Sequence, residues 1–595
     1  MNSKPQPMLR KWQVRLLRTW VWFSEIVRPS ELQMTLVWAG LIGFFGAVSS
    51  VAFRRLTDGV HWLFTGDNFK YVESFAHMVW WQRLLVPAVG GALAGITIYF
   101  GNRLNPRKSS TDYMEAIVLG DGVISSRLSL VKCASAMSSI ASGASIGREG
   151  PMVQLSAMIA SLLGRMTRMS AVRLRLLVAC GAAAGIASAY NAPISGALFV
   201  SEIVLGSMAM ESFGPLVFSS VIATLTIRQF LGGNPLYEIA IPTVRLNSNW
   251  EIVLYLVLGI LAGVLAPLFL GALRTSERLF TKLPAPMYMR LALGGLCVGA
   301  LAISYPEVCG NGYSVVNNIL HGGYLWNSLL LILVWKIAAT AVTFGSGAVG
   351  GVFTPTLFVG ACAGYLFALA AQLVWPGPPL IPSAFTLVGM GALLAATTHA
   401  PIMAIIMLFE LTLDYQMILP LMLACVVAHY VSRGFDPKSI YAESLKRKGA
   451  KSFQEQFAAL HVADLMKRDP VCIQGRAPFL EIAESFIRNH YVHLYVVDDR
   501  DSFKGVINLH DIKAYLNSPE LSKLIIARDL MRENCPTTTP EATLAQALKS
   551  FSHYDGDRLP VISNHGEHRL IGSISKSDVL LALAEETKQE DTPHT

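Results

Sequence analysis

The string Gly147-Arg148-Glu149-Gly150-Pro151 sets a carboxylate on a feature that attracts anions. Proline favours the first turn of a helix, and the glycines on either side describe a loop running into that turn. The unpaired N–H groups and the positive dipole end of such a terminus draw negative charge. Glu149 is an anion tethered at that point, and an anion from solution competes with it for the same donors. A second string, Gly351-Val352-Phe353-Thr354-Pro355, offers another helix N-terminus without an acid. Two termini brought to one place would hold an anion by backbone amides and partial charges, weakly enough to release it.

Those termini need elements that carry them to one point, and the chain is built in duplicate. Ser142–Pro151 recurs as Ser346–Pro355, with Ser, Gly, Ala, Gly and Pro matching at an offset of 204. Gly181–Pro193, ending Asn-Ala-Pro, recurs as Gly389–Pro401, ending His-Ala-Pro, at an offset of 208 that continues to Glu202 and Glu410. Glu202 and Glu410 end corresponding helices, where capping or local pairing is the plain expectation. An odd number of crossings in each half inverts one half against the other and leaves both termini on one side. Inverted repeats with interrupted helices, meeting at the midplane, are the architecture of transport proteins.

Composition agrees. The 595 residues are 53% hydrophobic and only 15% charged, with mean hydropathy +0.46, whereas soluble domains carry about 25% charged residues. Leu32–Phe53 is an uncharged run of 22 residues, bounded by Glu31 and Arg54-Arg55. At ~1.5 Å per residue it crosses a bilayer core of ~30 Å. Other apolar segments follow from 84–100 to 415–432, several under ~17 residues, which predicts broken helices; these survive at membrane depth where protein or a polar cavity covers them. The N-terminal residues 1–30 carry six Lys and Arg against Glu25, which keeps that end cytoplasmic. The net charge of +8 is spread between apolar runs, unlike a nucleic-acid-binding surface. Eight scattered cysteines without CxxC spacing argue against structural zinc and a disulfide framework.

From residue 451 onward the chain changes class: 37 of its last 145 residues are charged, against 51 of the first 450. This tail is also duplicated. Ala463–Met466 recurs as Arg528–Met531, and Gly505–Asp511 as Gly572–Asp578. Each copy reads strand, helix, strand, strand, helix over roughly 60 residues.

With GREGP at Gly147–Pro151, GGVFTP at Gly350–Pro355, the NAP and HAP turns and Ser439-Ile440-Tyr441, the first part resembles the CLC family of chloride channels and chloride/proton antiporters. The resemblance implies a homodimer with one anion path per subunit. It implies that N–H groups of Arg148, Glu149, Gly150, Val352 and Phe353 line the path, that the Tyr441 hydroxyl donates to the central anion, and that Glu149 is the gate. The family's GSGIP string is absent. Arg107–Tyr113 stands in its place, which leaves Ser109 or Ser110 as the candidate for the anion-contacting serine and leaves chloride against other anions open. Antiporters of the family often carry two consecutive acids after the NAP helix; here the pair is Glu202-Ile203, a channel-like pattern. The tail resembles a tandem CBS pair, a regulatory module that often binds adenine nucleotides. Its Ser/Thr-x-x-Asp pattern is met by Ser575 and Asp578, and less closely by Asn508 and Asp511.

The expectation is a multi-pass all-α membrane protein with two inverted-topology repeats and broken helices, followed by a small α/β tandem CBS domain. Its parts are a basic cytoplasmic segment (1–30), an anion-transport domain (31–445, with halves at 31–235 and 249–445), a linker (446–460) and modules at 461–519 and 526–586. The expected function is glutamate-gated chloride conduction across the cell membrane, both termini cytoplasmic, with regulation by the tail; chloride/proton antiport is the alternative. Chloride is the substrate, protons a second one under antiport, and adenine nucleotide the ligand of the tail. No enzyme activity, resident cofactor, metal or nucleic-acid partner is expected. An intramembrane hydrolase built on Ser346 and His399 is the competing class.

Overall fold

The structure is a computed structural model that describes most of residues 31–441 and 461–579. Outside the described residues lie 1–30, 68–70, 104–111, 119, 234–235, 238–249, 438, 440, 442–460, 580–595 and short stretches of the tail. The N-terminal basic segment, Ser109, Ser110 and the 446–460 linker therefore fall outside them. The chain divides into two compact units, Met1–Lys448 and Gly449–Thr595.

The first unit is helical. Its first half runs α1 (Glu31–Thr65), α2 (Tyr71–His77), α3 (Trp80–Arg103), α4 (Tyr113–Val118), α5 (Ser126–Ala141), α6 (Glu149–Met166), α7 (Ala171–Tyr190), α8 (Pro193–Leu198) and α9 (Met210–Leu231). The second repeats it as α10 (Glu251–Lys282), α11 (Met287–Ser304), α12 (Tyr313–Leu320), α13 (Trp326–Gly345), α14 (Phe353–Gln372), α15 (Pro382–Thr398), α16 (Pro401–Thr412) and α17 (Ile418–Phe435). Among the described residues nine helices are long and apolar enough to cross a membrane. The short helices α4, α8, α12 and α16 are the interrupted elements.

Duplication shows in the backbone at equivalent points. Asn191 and His399 end α7 and α15 in the left-handed region, at φ 56° and 59°. Gly143 and Gly347, after α5 and α13, have φ of 95° and 96°. The halves meet through an antiparallel bridge between residues related by the repeat: the Gly147 N–H donates to the Gly351 carbonyl at 2.7 Å, and the Gly351 N–H returns the bond at 3.0 Å. Helices α3 and α11 cross closely, because a Cβ on Gly91 would strike the Leu291 carbonyl and one on Gly295 the Pro87 carbonyl.

One sequence boundary moves. Helix α1 does not stop at Arg54-Arg55 but continues to Thr65. Its last turns pack on protein: Thr57 is buried, and buried His61 bonds the Ala141 carbonyl through Nδ1 at 2.8 Å and Ser74 Oγ through Nε2 at 3.2 Å. Hydropathy ends where the lipid-like run ends, and the helix ends where its packing does.

In the second unit α18 (Val462–Leu465) precedes β1 (Lys467–Arg468), β2 (Cys472–Gln474), α19 (Phe479–Asn489), β3 (His493–Val497), β4 (Phe503–Asn508) and α20 (Leu509–Leu516). Then follow α21 (Ala527–Leu530), α22 (Leu544–Ser552), β5 (Arg558–Ile562) and β6 (Leu570–Ser575). Copy one keeps the predicted order. In copy two the first strand is reduced to a bridge between Thr538 and Val561, and its sheet is completed by β1, antiparallel to β6. In return Arg532 exchanges backbone hydrogen bonds with Val506 on β4. This exchange joins the two copies into one domain.

Candidate functional site

Glu149 opens α6 and is buried, 3% exposed. Its carboxylate lies on the opposite half of the molecule. Oε1 accepts the Thr354 N–H and Oε2 the Thr354 hydroxyl, each at 3.1 Å, at the first turn of α14. The Gly147–Gly351 bridge puts the two helix starts within reach, and it does so only because both positions are glycine: a Cβ on either would overlap the Glu149 side chain. Thr354 Oγ1 is in turn met by the hydroxyls of Tyr190 at 3.1 Å and Tyr313 at 3.4 Å.

Against Glu149 lies a cavity of about 280 Å³, walled by Glu149, Gly150, Val352 and Tyr441 together with Asp112, Tyr113, Lys132 and Phe199. Tyr441 meets the ring of Phe199 edge-on at 5.5 Å. A stretch of π-helix, Phe199–Leu205, continues α8; it turns Phe199 to this wall. Arg148 and Phe353 do not line the cavity. The Arg148 guanidinium lies over the Tyr313 ring, 5.5 Å from its centroid, and Phe353 packs on Tyr190 at 5.1 Å. Ser109 and Ser110 lie outside the described residues.

Sequence reasoning missed four residues here. Thr354 sat inside the quoted string but was read only for its backbone. Asp112, which accepts the Met114 N–H at 3.1 Å, and buried Tyr113, whose N–H donates to Gln154 Oε1 at 3.2 Å, begin α4 where the GSGIP string was sought. Lys132 adds a cation to a wall expected to rest on neutral amides and one acid.

The remaining acids have other work. Glu410 accepts the N–H groups of Ile194 and Ser195, each at 2.8 Å, and Glu202 those of Ile402 at 3.3 Å and Met403 at 2.7 Å. Both cap helices, though in the opposite half and not locally. Ile203 packs against the main apolar core. The hydrolase pair is not assembled: Ser346 Oγ donates to the Thr343 carbonyl at 2.8 Å, while His399 meets His429 with ring centroids 5.6 Å apart.

The sequence profile of the voltage gated chloride channel family matches residues 90–433, and the CBS domain profile matches 462–518 and 527–585. A ClcB-like chloride channel protein of Ralstonia nicotianae is 52% identical over 413 residues, 69% of this chain and 96% of that one. This chain belongs to the CLC family. Among solved structures it is similar to a slow cyanobacterial Cl⁻/H⁺ antiporter, 26% identical, with TM-score 0.62 over 70% of this chain and 98% of the other. A eukaryotic CLC transporter shares the fold over 92% of this chain and 99% of its own, with TM-score 0.62 at 18% identity.

The CBS tail of this CLC protein treats its two candidate aspartates differently. Asp511 accepts the Asn508 N–H at 3.3 Å through Oδ2, and its Oδ1 forms an ion pair with Arg532 at 2.5 Å. In copy two the Ser575 hydroxyl accepts the Asp578 N–H at 3.0 Å, and Asp578 Oδ2 is buried without a partner among the described residues.

Proposed function

We propose that this CLC protein conducts chloride through the cavity between its two halves, with Glu149 as the gate. The observation that carries this reading is the seat of the Glu149 carboxylate. It occupies the positive end of α14, beside a cavity walled by Gly150, Val352 and Tyr441, so it fills the place an anion would take. Chloride displaces it, or protonation removes its charge, and the path opens. Tyr441 contributes its hydroxyl to the central anion, and the N–H groups of Glu149, Gly150 and Val352, which wall the cavity, supply the surrounding positive ends, with those of Arg148 and Phe353 behind the wall. Ser109 or Ser110 supplies the second hydroxyl.

Conduction is passive in this reading. Proton coupling needs an acid on the far side of the site from the gate. Position 203 is isoleucine, and the neighbouring Glu202 is engaged by the start of α16. Antiport is the second reading, favoured by the 26% identity to a Cl⁻/H⁺ antiporter. The protein acts as a homodimer in the cell membrane with both termini cytoplasmic, and the CBS pair regulates it by binding adenine nucleotide at Ser575 and Asp578.

The test is flux from proteoliposomes holding a chloride gradient, read with a chloride electrode and an internal pH dye. Glu149→Gln should keep chloride flux and lose its pH dependence; loss of all flux from a folded variant would refute the gate. Uphill proton movement by the unmodified protein would decide for antiport.

A further inference from the structure

The hydroxyls above Glu149 form a directed set. A threonine hydroxyl has one proton to give and two lone pairs to accept with. An ionised carboxylate only accepts, so Thr354 must donate to Glu149 Oε2. Its lone pairs are then free for the phenols of Tyr190 and Tyr313, which must both be donors. Every proton in the chain points toward the carboxylate, and the Thr354 N–H completes the set on Oε1.

Resting on Glu149 as the gate, we infer that Thr354, oriented by Tyr190 and Tyr313, is a charge-reading latch: it holds the ionised carboxylate and rejects the neutral one. A proton on Oε1 would face the Thr354 N–H, and a proton on Oε2 would face a hydroxyl whose acceptor sites are already filled. Donor against donor is repulsive, so protonation does more than cancel the charge of the gate; it also opposes the bond of the seat at whichever oxygen takes the proton. The alternative, turning Tyr190 around, leaves a buried phenol proton without an acceptor, because Tyr190 is 1% exposed.

The other titratable groups facing Glu149 are Arg148 on its own loop, Tyr113 from α4, Lys132 and Cys133 from α5, Tyr190 from α7 and Tyr313 from α12, with Asp112, Tyr237 and Tyr441 beside them. The acid and the two strong bases of this set are Asp112, Lys132 and Arg148. None of these three is altered by a change at Thr354, which makes that residue a clean point of attack.

Thr354→Val keeps shape and removes the hydroxyl. In the full chain in proteoliposomes, the pH of half-maximal chloride flux should rise by about one unit, the size of one charge-assisted hydrogen bond. Tyr190→Phe should move it in the same direction by less, and Thr354→Ser should restore the unmodified profile. Glu149→Gln, run alongside, separates the two ideas. If it abolishes pH dependence while Thr354→Val leaves the midpoint in place, the latch is wrong and the gate stands. If Glu149→Gln leaves pH dependence intact, gate and latch fall together. A midpoint moved equally by Thr354→Val and Thr354→Ser would also overturn the latch, since packing and not the hydroxyl would be responsible.

Discussion

Glu202 and Glu410 occupy the same place in the two halves of the membrane domain, and each sets its carboxylate on the first turn of the other half's helix. The donor pairs, Ile194-Ser195 and Ile402-Met403, are themselves related by the offset of 208 that relates the two acids. Helix starts α8 and α16 expose N–H groups that have no partner in their own helices, and an acid from the facing repeat satisfies them. The duplication is therefore closed on itself by four N–H donors and two carboxylates.

Glu410→Ala should lower the melting temperature of the detergent-solubilised protein. Removing a cap costs about 0.5–2 kcal/mol, and two exposed donors on a half-buried turn place this case at the upper end. Glu202→Gln should retain part of the capping and leave the pH dependence of chloride flux unchanged. A change in that dependence would assign Glu202 to proton movement instead.

Gly351→Ala tests the seat of Glu149 from the backbone side. The added methyl occupies the space of the carboxylate, and the flexible glutamate is what must yield. Chloride flux at neutral pH should rise several-fold over the unmodified protein, with Gly147→Ala acting the same way. Unchanged flux in both variants would mean that the carboxylate does not obstruct the path.

Lys336 is wholly buried in α13, and its ammonium donates to the carbonyls of Val308 and Gly310, each at 2.9 Å, with the Phe358 ring 4.9 Å away. It straps the segment leading into α12 and Tyr313. Lys336→Met should destabilise the fold by about 1–3 kcal/mol for each carbonyl left unpaired. Thermal unfolding in detergent would show this, and a melting temperature equal to the unmodified protein's would refute the strap.

Adenine nucleotide binding should follow the asymmetry of the tail. Asp578→Ala should weaken binding of AMP or ATP by at least about tenfold, since a hydrogen bond to a charged group is worth ~1.5–3 kcal/mol. Asp511→Ala should change it by less than about twofold, because Arg532 already engages that carboxylate. Calorimetric titration of the full chain reads both, and equal losses would place the nucleotide elsewhere.

Much of this was legible in the sequence, for reasons that can be named. Helix starts, left-handed caps and repeats depend on local chemistry, so GREGP, GVFTP, the NAP and HAP turns and both duplications announced the fold class and Glu149. Helix α1 running past Arg54 was not legible, since His61 finds its partners only in the packed structure. The cavity wall at Asp112, Tyr113 and Lys132 was missed because no single string contains it.

The sequence by itself determined that there are two inverted halves, that a glutamate sits on a helix start between glycines, and that a second duplicated domain follows. Tertiary structure decided which N–H groups that glutamate meets. Its own helix start supplies one donor, the Glu149 N–H, and the pairing of Gly147 with Gly351 adds Thr354, 205 residues away. The physical reason is that period and caps are properties of a few neighbouring residues, whereas the direction of a buried carboxylate is settled by whichever donor the opposite half brings within 3.1 Å.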